Sequence, residues 1–407
     1  MNCIAYLVSD YLATSHTFVR REIAALRASG AHIRIFTIRG EGSGGEDGEV
    51  TKILGRSPLA YVSALILQML RHPIIMLDAW ILANRHRVPG LKAWLWAQFH
   101  FVEAVLLSRL LARGNCRHLH NHFANSGAVI GMVAARIAGI PWSLTLHGIS
   151  ELDYPAGPLL GDKIRRAQFV ACASYFMRAQ AMRTVSAEQW YKLRVVRCGI
   201  DLGQIPAGGS VAGGASPRLV CVGRFSPEKA HIGLIDALAT LAQEGLEFHA
   251  TLVGDGPTRP DIEAAARKAG IADRLRFTGA LPAEETLGEI AQAEIFVLPS
   301  LMEGLPMVLI EALACRTASI ASAVAGIPEL IVDGVTGLTF TPSDWLELST
   351  GLRRLIENPD LRHRLEQEGR RVVEENFSID AVAVHLLDEF SRSAKFAGAN
   401  SDRLKLG

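Results

Sequence analysis

Two carboxylates, Glu303 and Glu311, stand eight positions apart in the stretch EGLPMVLIE, divided by a Gly-Leu-Pro turn and a short apolar run. Upstream, VGRFSPEK sets Arg224 and Lys229 five residues apart behind another apolar run. Taken singly, these are a solvated helix face with an acid before it and a pair of surface bases. Taken together they suggest two chemistries. As acid and nucleophile of a glycosidase, the carboxylates would need to lie about 5–9 Å apart across a glycosidic bond, and Arg224 and Lys229 would be left without a purpose. In a diphosphate-sugar site all four have one. Pro306 suits the first position of a helix, so the chain around Gly304, Leu305 and Leu309 would present unsatisfied N–H groups at a positive dipole end. Arg224, Lys229 and that terminus would then hold a diphosphate with no metal. Glu311, one to two turns inside the helix, would accept hydrogen bonds from ribose hydroxyls. Glu303, in the loop before it, would reach hydroxyls of the attached sugar. Gly254 and Gly256, in GDGP, would let the backbone approach a ligand closely.

A second cluster is His118, His120 and His122 in HLHNHF. On a strand, alternating residues share one face, so the three mimic a metal centre. The sequence shows no carboxylate or cysteine partner for them, and they read as core or cleft-lining histidines, with no metal expected.

These groups must be positioned by strands and helices. CIAYLVS is a continuous apolar run, as in a parallel strand buried on both faces. TFVRREIAALRASG follows with helical spacing and a glycine stop, then HIRIFTI as a second strand. Strand-like runs resume at HLHNHF and WSLTLHG. A glycine-laden stretch, CGIDLGQIPAGGSVAGGASPRL, reads as a linker. Beyond it LVCVGRF, EFHATLVGDG, RLRFTGAL, EIFVLPS and ASIASAV alternate with helices. Two such arrays predict an α/β chain of two Rossmann-like parallel-sheet domains. Residues 1–197 would be an acceptor-binding domain and 198–375 a donor domain. Residues 376–407 would form a helix packing back on the first domain, followed by a tail. Ligands of such sheets bind beyond the carboxyl ends of strands, which predicts a site in an interdomain cleft.

Composition narrows the function classes. A chain of 407 residues with 49% hydrophobic and 20% charged content is a folded, two-domain protein. A net charge of +1 gives no reason to expect nucleic acid. Six scattered cysteines without a CxxC pair predict reduced thiols and a cytoplasmic location. The start lacks a basic n-region, so no signal peptide is expected. No window offers the roughly 18–20 uncharged apolar residues of a membrane span. No GxGxxG follows the first strand, which argues against an NAD dehydrogenase.

With these residues in view, the second half resembles the donor domain of the GT-B retaining glycosyltransferases of family 4, through VGRFSPEK and the Glu-x7-Glu element. SDYLATSHTFVRREIAALRASG, HLHNHFA and SLTLHG look like the branch that builds bacterial exopolysaccharides, including colanic-acid transferases. The resemblance implies the GT-B fold, two Rossmann-like domains facing a deep cleft. It assigns Arg224 and Lys229 to the diphosphate, Glu311 to the ribose and Glu303 to the donor sugar. His147, ending SLTLHG, would lie beside the reacting face of that sugar, and backbone around Thr278–Leu281 would read the base. It also implies front-side attack, with the leaving phosphate helping to take the acceptor proton, and no metal or other cofactor. The chain departs from the family pattern at Ala230, where glycine is common, and at Arg316 and Ala318, where glycine and proline are common. It also has Ser15-His16-Thr17-Phe18 in place of Ser-Glu-Thr-Phe on the acceptor side.

Residues 56–117 form a helical insertion with eight Lys/Arg against two acids, Asp78 and Glu103, and with Trp80, Trp94 and Trp96 among apolar runs. The pattern is that of an interfacial contact with an anionic inner-leaflet membrane, or of an insertion packed on the sheet. The whole reading is a glycosyltransferase moving sugar from a UDP- or GDP-sugar to a saccharide or lipid-linked acceptor, in exopolysaccharide or lipopolysaccharide synthesis. The alternatives are a nucleotide-sugar epimerase or hydrolase, and a catalytically silent assembly scaffold.

Overall fold

A computed structural model describes residues 3–13, 16–40, 50–152, 159–206, 208 and 216–404, with side chains to 393. Ser15, and positions 207 and 209–215 of the glycine-laden linker, lie outside the described residues. The chain divides into two compact units, Met1–Gly199 with Ile379–Gly407, and Ile200–Ser378.

The first unit begins β1 (Cys3–Val8), α1 (Thr17–Ala28), β2 (Ile33–Thr37) and β3 (Val50–Lys52). Three helices follow, α2 (Pro58–Arg71), α3 (Pro73–Arg85) and α4 (Leu91–Arg113), forming the predicted insertion. Then come β4 (Cys116–His122), α5 (Ser126–Ala138), β5 (Trp142–Leu146), α6 (Leu160–Arg166), β6 (Val170–Cys172), α7 (Tyr175–Met182) and β7 (Leu193–Val195). The sheet is parallel, in the order β3-β2-β1-β4-β5-β6-β7. Every residue of β1 is buried, and alternation divides them between two cores. Ala5 and Leu7 pack with α4 and α5, while Ile4, Tyr6 and Val8 pack with α1.

One described helix, α4, is long and apolar enough to cross a membrane by length and composition. It carries Lys92, Glu103 and Arg109, and half of its apolar window is buried inside the unit.

The second unit runs β8 (Arg218–Val222), α8 (His231–Gln243), β9 (His249–Val253), α9 (Arg259–Lys268), β10 (Leu275–Gly279), α10 (Ala283–Gln292) and β11 (Ile295–Leu298). It continues with α11 (Met307–Ala314), β12 (Ala318–Ser322), β13 (Leu338–Phe340), α12 (Trp345–Glu357) and α13 (Pro359–Asn376). Its parallel sheet has the order β10-β9-β8-β11-β12-β13. A last helix, α14 (Ile379–Leu404), belongs to the first unit. Its Ile379, Val382, Ala383, Leu386 and Phe390 recur at helical spacing and pack on Val19, Ile23 and Leu26 of α1.

Candidate functional site

The order of the second sheet reverses between β8 and β11. Leu234 and Leu238 of α8 pack in the core on one face, and Leu309 and Leu313 of α11 in the core on the other. The loops that leave these neighbouring strands therefore lead to opposite faces from the carboxyl edge, the place where ligands of doubly wound sheets bind. Lys229 comes from the first loop and Glu303 from the second, and Lys229 Nζ lies 2.5 Å from Glu303 Oε1. Glu303 is buried and Lys229 partly exposed. A further bond ties the loops together, from the Leu301 N–H to the Glu228 carbonyl at 2.8 Å.

Arg224 is the more accessible cation, its side chain 72% exposed and paired with Glu228 at 3.0 Å. The Ser226 hydroxyl donates to the same carboxylate oxygen at 2.7 Å. That bond, followed by the residue's own backbone N–H and then the Arg224 contact, holds the Glu228 carboxyl below its ordinary range.

The helix terminus differs from expectation by one position. Pro306 is the N-cap of α11, with φ −74° and ψ 113°, and the first helical residue is Met307. The Leu309 N–H is already bonded to the Pro306 carbonyl. No side chain caps the terminus, which leaves the N–H groups of Met307 and Val308 as the donors of the first turn. Leu305 and Pro306 are buried and Gly304 is half-buried, its carbonyl accepting from the Gly326 N–H. Glu311 follows in the second turn, half-buried. Burial first, and then the Glu311 carboxylate, push the Cys315 thiol up to about 12.

Gly254 and Gly256 serve a close approach, but to protein backbone. Their φ angles are 142° and 158°. A Cβ on Gly254 would fall 1.9 Å from the Gly223 carbonyl oxygen, and one on Gly256 2.3 Å from that of Phe225. These glycines lock the loop after β9 onto the loop after β8, where the Phe225 N–H donates to the Asp255 carbonyl. Gly223, which the sequence did not mark, has space beside it, its nearest neighbour being the Lys229 stem at 3.8 Å. Thr278 and Leu281 flank the end of β10, and Thr278 Oγ1 donates to the Gly279 carbonyl.

In the first unit, β4 and β5 carry a buried polar chain. His147 Nε2 lies 2.9 Å from His122 Nδ1, and His147 Nδ1 lies 3.5 Å from Cys198 Sγ. His122 Nε2 is 3.2 Å from Glu22 Oε1, without hydrogen-bond alignment. That oxygen also accepts from the Tyr6 hydroxyl at 2.8 Å. His147 thus faces a ring nitrogen on one side and a thiol on the other. Burial, and then His122, hold His147 neutral. The His147 N–H is bonded to Glu151, and its ring packs on Phe18 and Phe123.

The carboxylate missing from the sequence reading of the histidines is thus Glu22, on the apolar stripe of α1. Glu22, His120 and His122 place ligand-type atoms within 4.8 Å of one another. Both nitrogens of His120 already face hydroxyls, those of Ser143 and Thr145. His118 bonds Ser143 and Ser393, and burial lowers its pKa to about 3.

Comparison with known proteins adds a family match over part of the chain. Residues 211–372 match the family described as Glycosyl transferases group 1. Alpha-D-kanosaminyltransferase of Streptomyces kanamyceticus is 33% identical over 170 residues, 42% of this chain and 44% of that protein. The chain thus aligns with less than half of that relative. The 2-deoxystreptamine glucosyltransferase of the same organism is 28% identical over 335 residues, 76% of this chain and 85% of its own. Among solved structures, Anabaena HepE in complex with UDP-glucose matches with TM-score 0.73 and 17% identity, over 96% of this chain and all of that one. The fold of two parallel-sheet Rossmann-like domains is that of the GT-B glycosyltransferases.

Proposed function

We propose that this chain, whose residues 211–372 match the group 1 glycosyl transferases, moves a sugar from a UDP- or GDP-sugar to an acceptor hydroxyl, with retention at the anomeric carbon and without a metal. The observation that carries the reading is the meeting of Lys229 and Glu303 at the switch point, beside the uncapped start of α11.

Lys229, Arg224 and the first N–H groups of α11 would hold the diphosphate. Glu311 would take the ribose hydroxyls and Glu303 those of the sugar, while backbone at Thr278–Leu281 would read the base. The bond from the anomeric carbon to the phosphate oxygen breaks as the bond to the acceptor oxygen forms on the same face. The acceptor proton passes to the departing phosphate. Negative charge grows on the leaving group, and fixed cations and dipoles in a shielded site stabilise it most where it grows. Glu303 pairs with Lys229, so a diphosphate would compete with that carboxylate for the ammonium. His147 would stand beside the transferred sugar, its ring oriented by His122 and Cys198.

The acceptor would be a saccharide, lipid-linked, in exopolysaccharide or lipopolysaccharide assembly. The protein would then work in the cytoplasm, peripherally at the inner membrane. The insertion supports this. Leu59, Leu70, Ile74 and Leu91 are each more than 70% exposed, and Trp80, Trp94 and Trp96 are exposed among basic residues.

A screen of UDP- and GDP-sugars for nucleotide release in EDTA, with NMR of the product's anomeric configuration, tests the reading. Release in EDTA with a retained anomer supports it. Inversion, release that needs no acceptor, or dependence on added Zn²⁺ or Mn²⁺ argues for the alternatives.

A further inference from the structure

A cavity of about 410 Å³ opens in the first unit, between the α3–α4 connection, α4 and the start of α5. One side is apolar, built from Val88, Trp96, Ala97 and Val129. The cavity's polar lining is His86, Arg87, His100 and Lys163, with Asn125, the N-cap of α5, and Ser126, its first residue. Among the described residues no carboxylate lines it.

Two buried polar atoms of this lining have no partner among the described residues, His86 Nδ1 and Arg87 Nε. His86 is 5% exposed, and its Nε2 faces Asp162 Oδ2 at 3.0 Å. Burial opposes ionisation of Asp162, yet hydrogen bonds from Arg166, His86 and Arg165 hold its carboxyl below the ordinary range. His86 therefore donates from Nε2, and burial keeps the ring neutral, so Nδ1 presents a bare lone pair. Such a nitrogen takes a hydroxyl proton. Arg87 offers an N–H to an anion. Lys163, fully buried, donates to the Ala124 carbonyl, 2.5 Å away, and feels the buried Glu151 carboxylate. Orphaned polar groups inside a protein carry a desolvation cost that a ligand removes.

The apolar side is continuous with solvent-facing hydrophobic surface on the same helix. Leu95 and Phe99 of α4 are 47% and 61% exposed, on either side of Trp96 in sequence. An apolar chain leaving the cavity along α4 stays on apolar protein.

We propose that this cavity binds the head of a lipid-linked phosphosaccharide, with phosphate at Arg87 and Lys163, a sugar hydroxyl at His86 Nδ1 and the lipid chain against Trp96 and the outer face of α4. The inference rests on the reading of the chain as a transferase to a lipid-linked acceptor, and it names where that acceptor is held.

Decyl phosphate, below its aggregation concentration, is a minimal probe of the chain and phosphate, read by tryptophan fluorescence of the full-length protein. Decanol and inorganic phosphate are the controls. The expected result is saturable binding of decyl phosphate, at least about tenfold tighter than either control, because chain and charge are both recognised. Arg87→Glu weakens it about tenfold or more, and Ala93→Phe, which fills the cavity beside Trp96, abolishes it. Equal binding of decanol overturns the anionic assignment, and unchanged affinity in both variants overturns the location. The same titration on Lys229→Ala separates this claim from the donor reading. Binding there is expected to be unchanged, so loss of transfer with intact lipid binding strikes the donor site alone. Failure of lipid binding with nucleotide release intact strikes the cavity alone.

Discussion

Lys229 Nζ and Glu303 Oε1 lie 2.5 Å apart although 74 residues separate them in the chain. Lys229 sits two residues before α8 and Glu303 four before α11, so the contact spans the point where the sheet's winding changes direction. If both serve one bound donor, their contributions cannot be independent. Lys229→Ala, Glu303→Ala and the double variant form a cycle in kcat/KM, and the expected coupling is about 1 kcal/mol or more. Additive losses would show that the pair does not act as a unit.

Ala230 has φ +50° at the N-cap of α8, and Arg316 has φ +57° just beyond α11. Left-handed backbone strains a residue with a Cβ and costs glycine little. The departures noted at these two positions thus fall where glycine is the easier residue. Ala230→Gly is expected to raise stability by about 0.5–1 kcal/mol, the relief of strain being partly offset by unfolded-chain entropy. Urea unfolding checks this through a higher midpoint at constant slope. An unchanged or lower midpoint would mean that the Ala230 methyl contributes packing that outweighs its strain.

Glu103 is buried in α4, and burial, against the pull of Arg39, lifts its carboxyl to about 7 from 4.5. Below pH 4.5 both folded and unfolded forms are protonated and no penalty exists. Between 4.5 and 7 the unfolded chain releases the proton while the folded chain keeps it, so stability falls as pH rises and levels off above 7. Glu103→Gln removes the carboxyl. Its stability relative to wild type is expected to improve by on the order of 2–3 kcal/mol between pH 4.5 and 8. A difference between the two proteins that does not vary with pH would contradict this account of Glu103.

How much of this could be read in advance follows from what each residue's neighbours in sequence reveal. β1, β8 and β11 were legible because strands buried on both faces are runs of apolar residues. Arg224, Lys229, Glu303 and Glu311 stood out because charges that follow such runs fall at the carboxyl edge of the sheet. Glu22 was not legible as a partner of His122, since the two are joined only by the register of β1 and β4 and the packing of α1. Its one signal was a carboxylate at the same helical spacing as Val19, Ile23 and Leu26. The task of Gly254 and Gly256 was hidden for the same reason, because the backbone they admit belongs to another loop. Pro306 was placed one residue too far into its helix, an offset that proline's tolerance of both positions does not resolve.

The central claim is that Lys229 meets the diphosphate at the switch point of the second sheet. The most direct measurement is the turnover of Lys229→Ala in nucleotide release from the preferred sugar donor, with folding followed by circular dichroism. Loss of one charge-assisted contact to a leaving group in a shielded site predicts a fall of at least about a hundredfold with the fold intact. A folded variant that releases nucleotide at a near-normal rate would contradict it.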